Sequence, residues 1–221
     1  MGERKDFIGN EEPFVYHPKT GRYTDLYNHL MLGRFVAMPS NSTIAEVRVS
    51  KLAANVIGTL LTVLFCSAGV LFAHLLPHYR AFAEWHAFPL LACLIILFPV
   101  HEALHALGLS VFARVSWSEV RFGVMWRAFM PYCHCTVPIP VAAYRRMTLL
   151  PLWITGAASL AALLTFPTDG LGILAGVAVA ACVGDVWMVA KLRRFADDLL
   201  VQDCPSDIGC DVLSSITENV A

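Results

Sequence analysis

Residues His101-Glu102-Ala103-Leu104-His105 set two imidazoles four positions apart with a carboxylate beside the first. On a helix, residues four apart lie on one face, so both rings can reach one ion. This HExxH pattern is a zinc signature: two neutral imidazoles and a third protein ligand hold Zn²⁺ and leave a position open for water. Glu102 can take a proton from that water and return it to a leaving amine, while the metal polarises the scissile carbonyl. With 8 His in 221 residues, chance placement yields roughly 0.01 such pentapeptides per chain, so composition does not account for it. The surrounding stretch is apolar, and ionisable residues inside a membrane span are costly and mark functional sites by default. The competing reading is a polar cluster that joins helices through hydrogen bonds.

A third ligand is scarce. Between Lys51 and Leu192 the acidic residues well inside apolar runs are Glu102 and Asp185. Asp185 lies about fifteen residues along a helix entering near Gly170, and His101 to His105 lie about thirteen to seventeen along one entering near Phe88. At about 1.5 Å per residue both depths come to about 20–25 Å, which makes Asp185 the preferred ligand. The alternative is an Asp185–Lys191 ion pair, with the lysine snorkelling to the interface.

Cys133, His134 and Cys135 form a rival donor group. Alternate side chains of a strand point to opposite faces, so the two thiols do not easily join His134 on one metal, and packing or a place along a substrate strand suits them better. His74, His78 and His86 fall at the outer interface and read as ordinary interfacial residues. The seven Cys are odd in number and irregularly spaced, which speaks against a disulfide framework.

The elements that must carry these residues are those of a membrane protein. The chain is 57% hydrophobic and 15% charged, with a mean hydropathy of +0.61, greasier than a soluble domain of its size. Its net charge of −1 lacks the basic excess of a nucleic-acid binder. Leu52–Leu76, Phe88–Ala113, Met147–Phe166 and Gly170–Leu192 each approach or exceed the roughly 20 apolar residues that span a bilayer. The first and third show almost no polar residues. Lys and Arg concentrate before the first span, between the second and third, and after the fourth, so both termini are expected in the cytoplasm. Residues 1–50 read as a cytoplasmic N-terminal extension without a signal peptide's apolar core. Residues 51–192 form the membrane-embedded domain, and 193–221 an acidic cytoplasmic surface tail. The 114–146 loop carries two runs rich in Val, Phe, Trp and Tyr, expected to pair as a hairpin at the cytoplasmic edge. The expected fold is therefore all-α and integral to the membrane, with about four transmembrane helices and a small β-hairpin between the second and third.

An HExxH in one transmembrane helix with an Asp in a later one resembles the site-2 protease class of intramembrane metalloproteases. More closely, HEALHALG, a Pro-Tyr-Cys and Pro-x-Pro segment, Gly184-Asp185 and an acidic tail with Ile-Gly look like the membrane family called putative zincin peptidases. The likeness covers roughly residues 52–210. It implies that His101, His105 and Asp185 are zinc ligands and that Glu102 is the catalytic acid/base. The site-2 pattern is not matched in full: Val186 follows Asp185 where that class carries Asp-Gly, and its usual substrate-side Asn is not identifiable.

These readings converge on an intramembrane zinc metalloprotease that cuts a membrane-embedded or membrane-adjacent peptide on the cytoplasmic side. The hairpin either holds an unwound substrate by β-augmentation or plugs the cavity. Two other classes stay open: a non-catalytic metal-binding regulator, and an ion-coupled transporter, which calls for polar residues along several helices. The expected partners are a membrane protein or peptide substrate and the lipid bilayer.

Overall fold

The described residues fall within one compact unit, residues 42–221. The computed structural model describes residues 43–81, 87–126, 130–204 and 208–214. The N-terminal extension up to residue 42, together with His86, Arg127, Pro205 and Asp207, lies outside the described residues.

Among the described residues, four helical segments are long and apolar enough to cross a membrane. The first two are single helices, α1 (Lys51–Leu75) and α2 (Ala87–Phe112). The third joins α3 (Val141–Pro151), a π-helical turn over Leu152–Gly156 and α4 (Ala157–Thr165). The fourth joins α5 (Asp169–Ala181) and α6 (Val183–Leu192) across Cys182. The third begins six residues before the expected Met147. Arg145 and Arg146 look like loop in the sequence, yet the Arg145 guanidinium leaves the apolar side by donating to Asp197 at 2.5 Å and to the carbonyls of Leu192 and Phe195 at 2.6 Å.

The most apolar windows of α1 and α2 are only 6% and 11% buried. Their exposed Leu52, Leu60, Ile95 and Leu91 present a surface that suits hydrocarbon better than water. Helices that share lipid as a solvent gain little from hydrophobic contact with each other, so small residues let them pack closely. That explains the α1–α5 pair. A Cβ built on Gly172 would lie 2.7 Å from the backbone of Gly69, and one on Gly176 would lie 2.6 Å from Cys66 Cα.

The expected hairpin is present between the second and third spans, as β2 (Val120–Met125) antiparallel to β3 (Met130–Cys135). The all-α expectation requires correction, because a second sheet accompanies it. β1 (Thr43–Val49), β4 (Ile139–Pro140), β5 (Leu200–Asp203) and β6 (Ile208–Leu213) form an antiparallel sheet in the order β1-β6-β5-β4. The register sets Val47 opposite Cys210 and Val201 opposite Val212, and these side chains are buried with Leu109, Tyr144, Met147 and Leu192. The main core therefore sits where this sheet meets the adjoining ends of α2, α3 and α6. The segment expected as an acidic surface tail contributes two of its strands.

Candidate metal centre

The α2 helix presents His101 and His105 one turn apart, with 6% and 8% exposure. Their Nε2 atoms are 3.1 Å apart. Asp185 comes from the first turn of α6. The fourth span breaks just before it: the Cys182 N–H turns to the Val179 carbonyl, and a new helix starts at Val183. The carboxylate thus stands at a helix N-terminus, where the macrodipole favours negative charge. Its Oδ2 lies 3.2 Å from His101 Nε2 and its Oδ1 3.5 Å from His105 Nε2.

Hydrogen-bond chemistry fixes what these atoms can do. The Met147 carbonyl, which can only accept, lies 3.2 Å from His105 Nδ1, so in the neutral ring Nδ1 carries the proton and Nε2 offers a lone pair. His101 Nδ1 faces the Cys182 sulfur at 3.9 Å. Cys182 gives its own thiol hydrogen to the Ala178 carbonyl, leaving sulfur as the acceptor for Nδ1–H and Nε2 again as the free donor atom. Asp185 Oδ2 is buried and accepts no hydrogen bond from the described residues. Three electron-pair donors within 4.8 Å of one another, one from each side chain, repel unless a cation joins them. Two imidazoles and a carboxylate form a zinc set with room for a fourth ligand, so the residues fit the metal that the sequence implies.

The Met147 carbonyl owes its availability to sequence. Pro151, four residues on, has no N–H to return to it along the helix, and His105 takes that place. A close approach of α2 to α3 brings the two together: a Cβ on Gly108 would lie 2.7 Å from Met147 Cβ.

A cavity of about 650 Å³ opens in front of the three donors, and Glu102 and Asp203 line it with them. The Cys133 backbone N–H addresses the Glu102 carboxylate, which ties β3 to the centre. Burial and the Glu102 charge push the Cys133 thiol up to about 12, and burial pushes Cys135 to about 11, so both are neutral thiols at neutral pH. Among the described residues the ligand-competent group is His101, His105 and Asp185, without the Cys133-His134-Cys135 cluster. Lys191 donates to the Arg48 carbonyl at 2.8 Å instead of pairing with Asp185. His74 bonds Asp169 at 2.9 Å and stacks on Tyr79, away from this centre.

Sequence reasoning missed three contributors. Asp203, expected on a surface tail, is buried and accepts from the Cys135 N–H at 2.8 Å and the Tyr144 hydroxyl at 2.9 Å; Leu200-Val201 just before it was the available hint. Pro151 signalled the Met147 carbonyl. On α1, Asn55, Thr59 and Thr62 all line the cavity, and their spacing of four and three residues is that of one helix face.

Residues 94–200 match the family described as "Putative zincin peptidase". The match takes in the HEALH helix, the hairpin and Asp185. No curated protein and no solved structure matches the chain.

Proposed function

We propose, with the zincin-peptidase match over residues 94–200 as premise, that the chain is an intramembrane zinc metalloprotease hydrolysing a peptide bond in a membrane-embedded or membrane-adjacent substrate. The observation that carries this reading is the meeting of three metal-competent donor atoms, on His101, His105 and Asp185, beside Glu102 and between helices whose outer faces suit lipid. His101 Nε2, His105 Nε2 and a carboxylate oxygen of Asp185 hold the metal, which when bound supplies Lewis acidity toward water and the scissile carbonyl. Glu102 takes the proton from the attacking water on a carboxylate oxygen, then passes it to the leaving nitrogen as the C–N bond breaks. Met147 and Cys182 hold the imidazoles in the ligating tautomer. β3 lies beside Glu102, to which Cys133 turns its N–H, and a substrate segment that has left its helix would run along that wall of the cavity. Both termini and the cavity mouth belong to the cytoplasmic side by the Arg and Lys distribution.

The test is metal analysis of the detergent-purified protein beside cleavage of a panel of single-span reporters. Wild type holds about one zinc per chain, and His101→Ala with His105→Ala holds none. Glu102→Gln keeps the zinc and lowers cleavage by about 10²–10⁴. Full zinc in the double variant, or wild-type cleavage by Glu102→Gln, rejects the proposal.

A further inference from the structure

The inner half of α1 carries polar groups that the metal centre does not use. Thr62 satisfies its hydroxyl internally, donating to the Gly58 carbonyl at 2.8 Å. Asn55 and Thr59 are exposed and have no hydrogen-bond partner among the described residues, although they sit on a helix whose other faces present Leu, Ile and Val. Polar groups in a span that faced only hydrocarbon would each cost several kcal/mol. They line the cavity instead, as Gly58 and Glu102 also do. Depth agrees. At 1.5 Å per residue, Asn55 and Thr59 stand about 6 Å and about 12 Å inside the Lys51 end of α1, while His105 and Glu102 stand about 10 Å and about 15 Å inside the Phe112 end of α2.

We propose that Asn55 and Thr59 form a binding strip for the main chain of an extended peptide, in the cavity that β3 also lines and at the depth of His105 and Glu102. A peptide that leaves its helix brings bare N–H and C=O groups into a low-dielectric cavity, and each needs a partner there. The Cys133 and Cys135 N–H groups of β3 are already given to Glu102 and Asp203, so other groups must serve such a segment. The Asn55 amide, both donor and acceptor, and the Thr59 hydroxyl are available for it, and neither selects a particular substrate side chain. This assignment rests on the metallopeptidase reading and deepens it.

The experiment uses the zinc-loaded full chain in lipid nanodiscs and two probes, measured by calorimetric titration. Acetohydroxamate reaches the metal alone; a leucine-rich tetrapeptide hydroxamate also occupies the strip. Wild type binds the tetrapeptide compound tighter, and Asn55→Leu with Thr59→Val loses about tenfold of that advantage, as expected for one or two hydrogen bonds. The same variant binds acetohydroxamate like wild type, which shows its centre intact. N-methylating the tetrapeptide backbone costs affinity in wild type and little in the variant, the coupling expected if these side chains hold the main chain. Undiminished tetrapeptide affinity in the variant overturns the strip. So does a change in oligomeric state with unchanged affinity, since the face would then be a contact between copies. Failure of wild type to bind either probe rejects the metallopeptidase reading, and the strip with it.

Discussion

Asp185 has a role that its neighbours define. A carboxylate facing two imidazole lone pairs is repelled by them until a cation arrives, so Asp185→Asn should lower zinc affinity at least about 100-fold, more than the loss of outer partners, which costs about 10–100-fold. Zinc competition with a chelator measures this, and unchanged affinity would remove Asp185 from the ligand set. Asp203 is a different acid. Burial lifts its carboxyl above the usual carboxylate range despite hydrogen bonds from Cys135 N–H and Tyr144 O–H. A raised folded-state pKa gives stability that is complete below the unfolded value of about 3.9 and is lost as pH rises through the folded one. Thermal unfolding in detergent from about pH 4 upward should therefore show wild type losing stability over that window and Asp203→Asn losing less. Equal slopes would contradict the burial argument. The histidine pair was legible because its spacing is local. Asp185 needed only a depth count along helices. Asp203 was hidden because its burial depends on Cys135 and Tyr144, 68 and 59 residues upstream.

At the scale of elements, irregularities in the helices do the positioning. The third span carries a proline that frees a carbonyl for His105, and the fourth breaks at Cys182 to aim Asp185. Pro151→Ala restores an N–H that competes for the Met147 carbonyl. It should loosen His105 and weaken zinc binding by about tenfold while leaving helix content unchanged; chelator competition with circular dichroism checks both, and wild-type affinity would show the carbonyl contact to be incidental. The α1–α5 contact has no room for a side chain at Gly172, so Gly172→Leu should destabilise by about 1–3 kcal/mol, read as a lowered midpoint in detergent. The spans were legible from long apolar runs, and the hairpin from its aromatic and β-branched residues. The strands at 43–49, 200–203 and 208–213 were not, because four to seven residues of mixed polarity carry little periodic signal and their pairing is wholly non-local.

For the whole molecule, the four-stranded sheet fixes a relation that charge patterns only suggest. β1 precedes the first span and β6 follows the fourth, and the two are paired along their length, with Arg48 bonded to Asp211 at 2.5 Å. Both strands must therefore share one side of any membrane the helices cross. Reporters fused before Met1 and after Ala221 should report the same compartment, the cytoplasm by the Lys and Arg count; opposite compartments would break the four-span arrangement. The same pairing sets an order of events during synthesis. The ribosome makes β1 first and β6 some 160 residues later, so β1 waits without its neighbour while all four helices are inserted, and closing so long a loop is slow. Asp185 and the Asp203 wall of the cavity are also among the last parts translated. A nascent chain therefore carries HEALH without its third donor until the fourth span follows, and the sheet that ties the two ends of the helical domain together closes last.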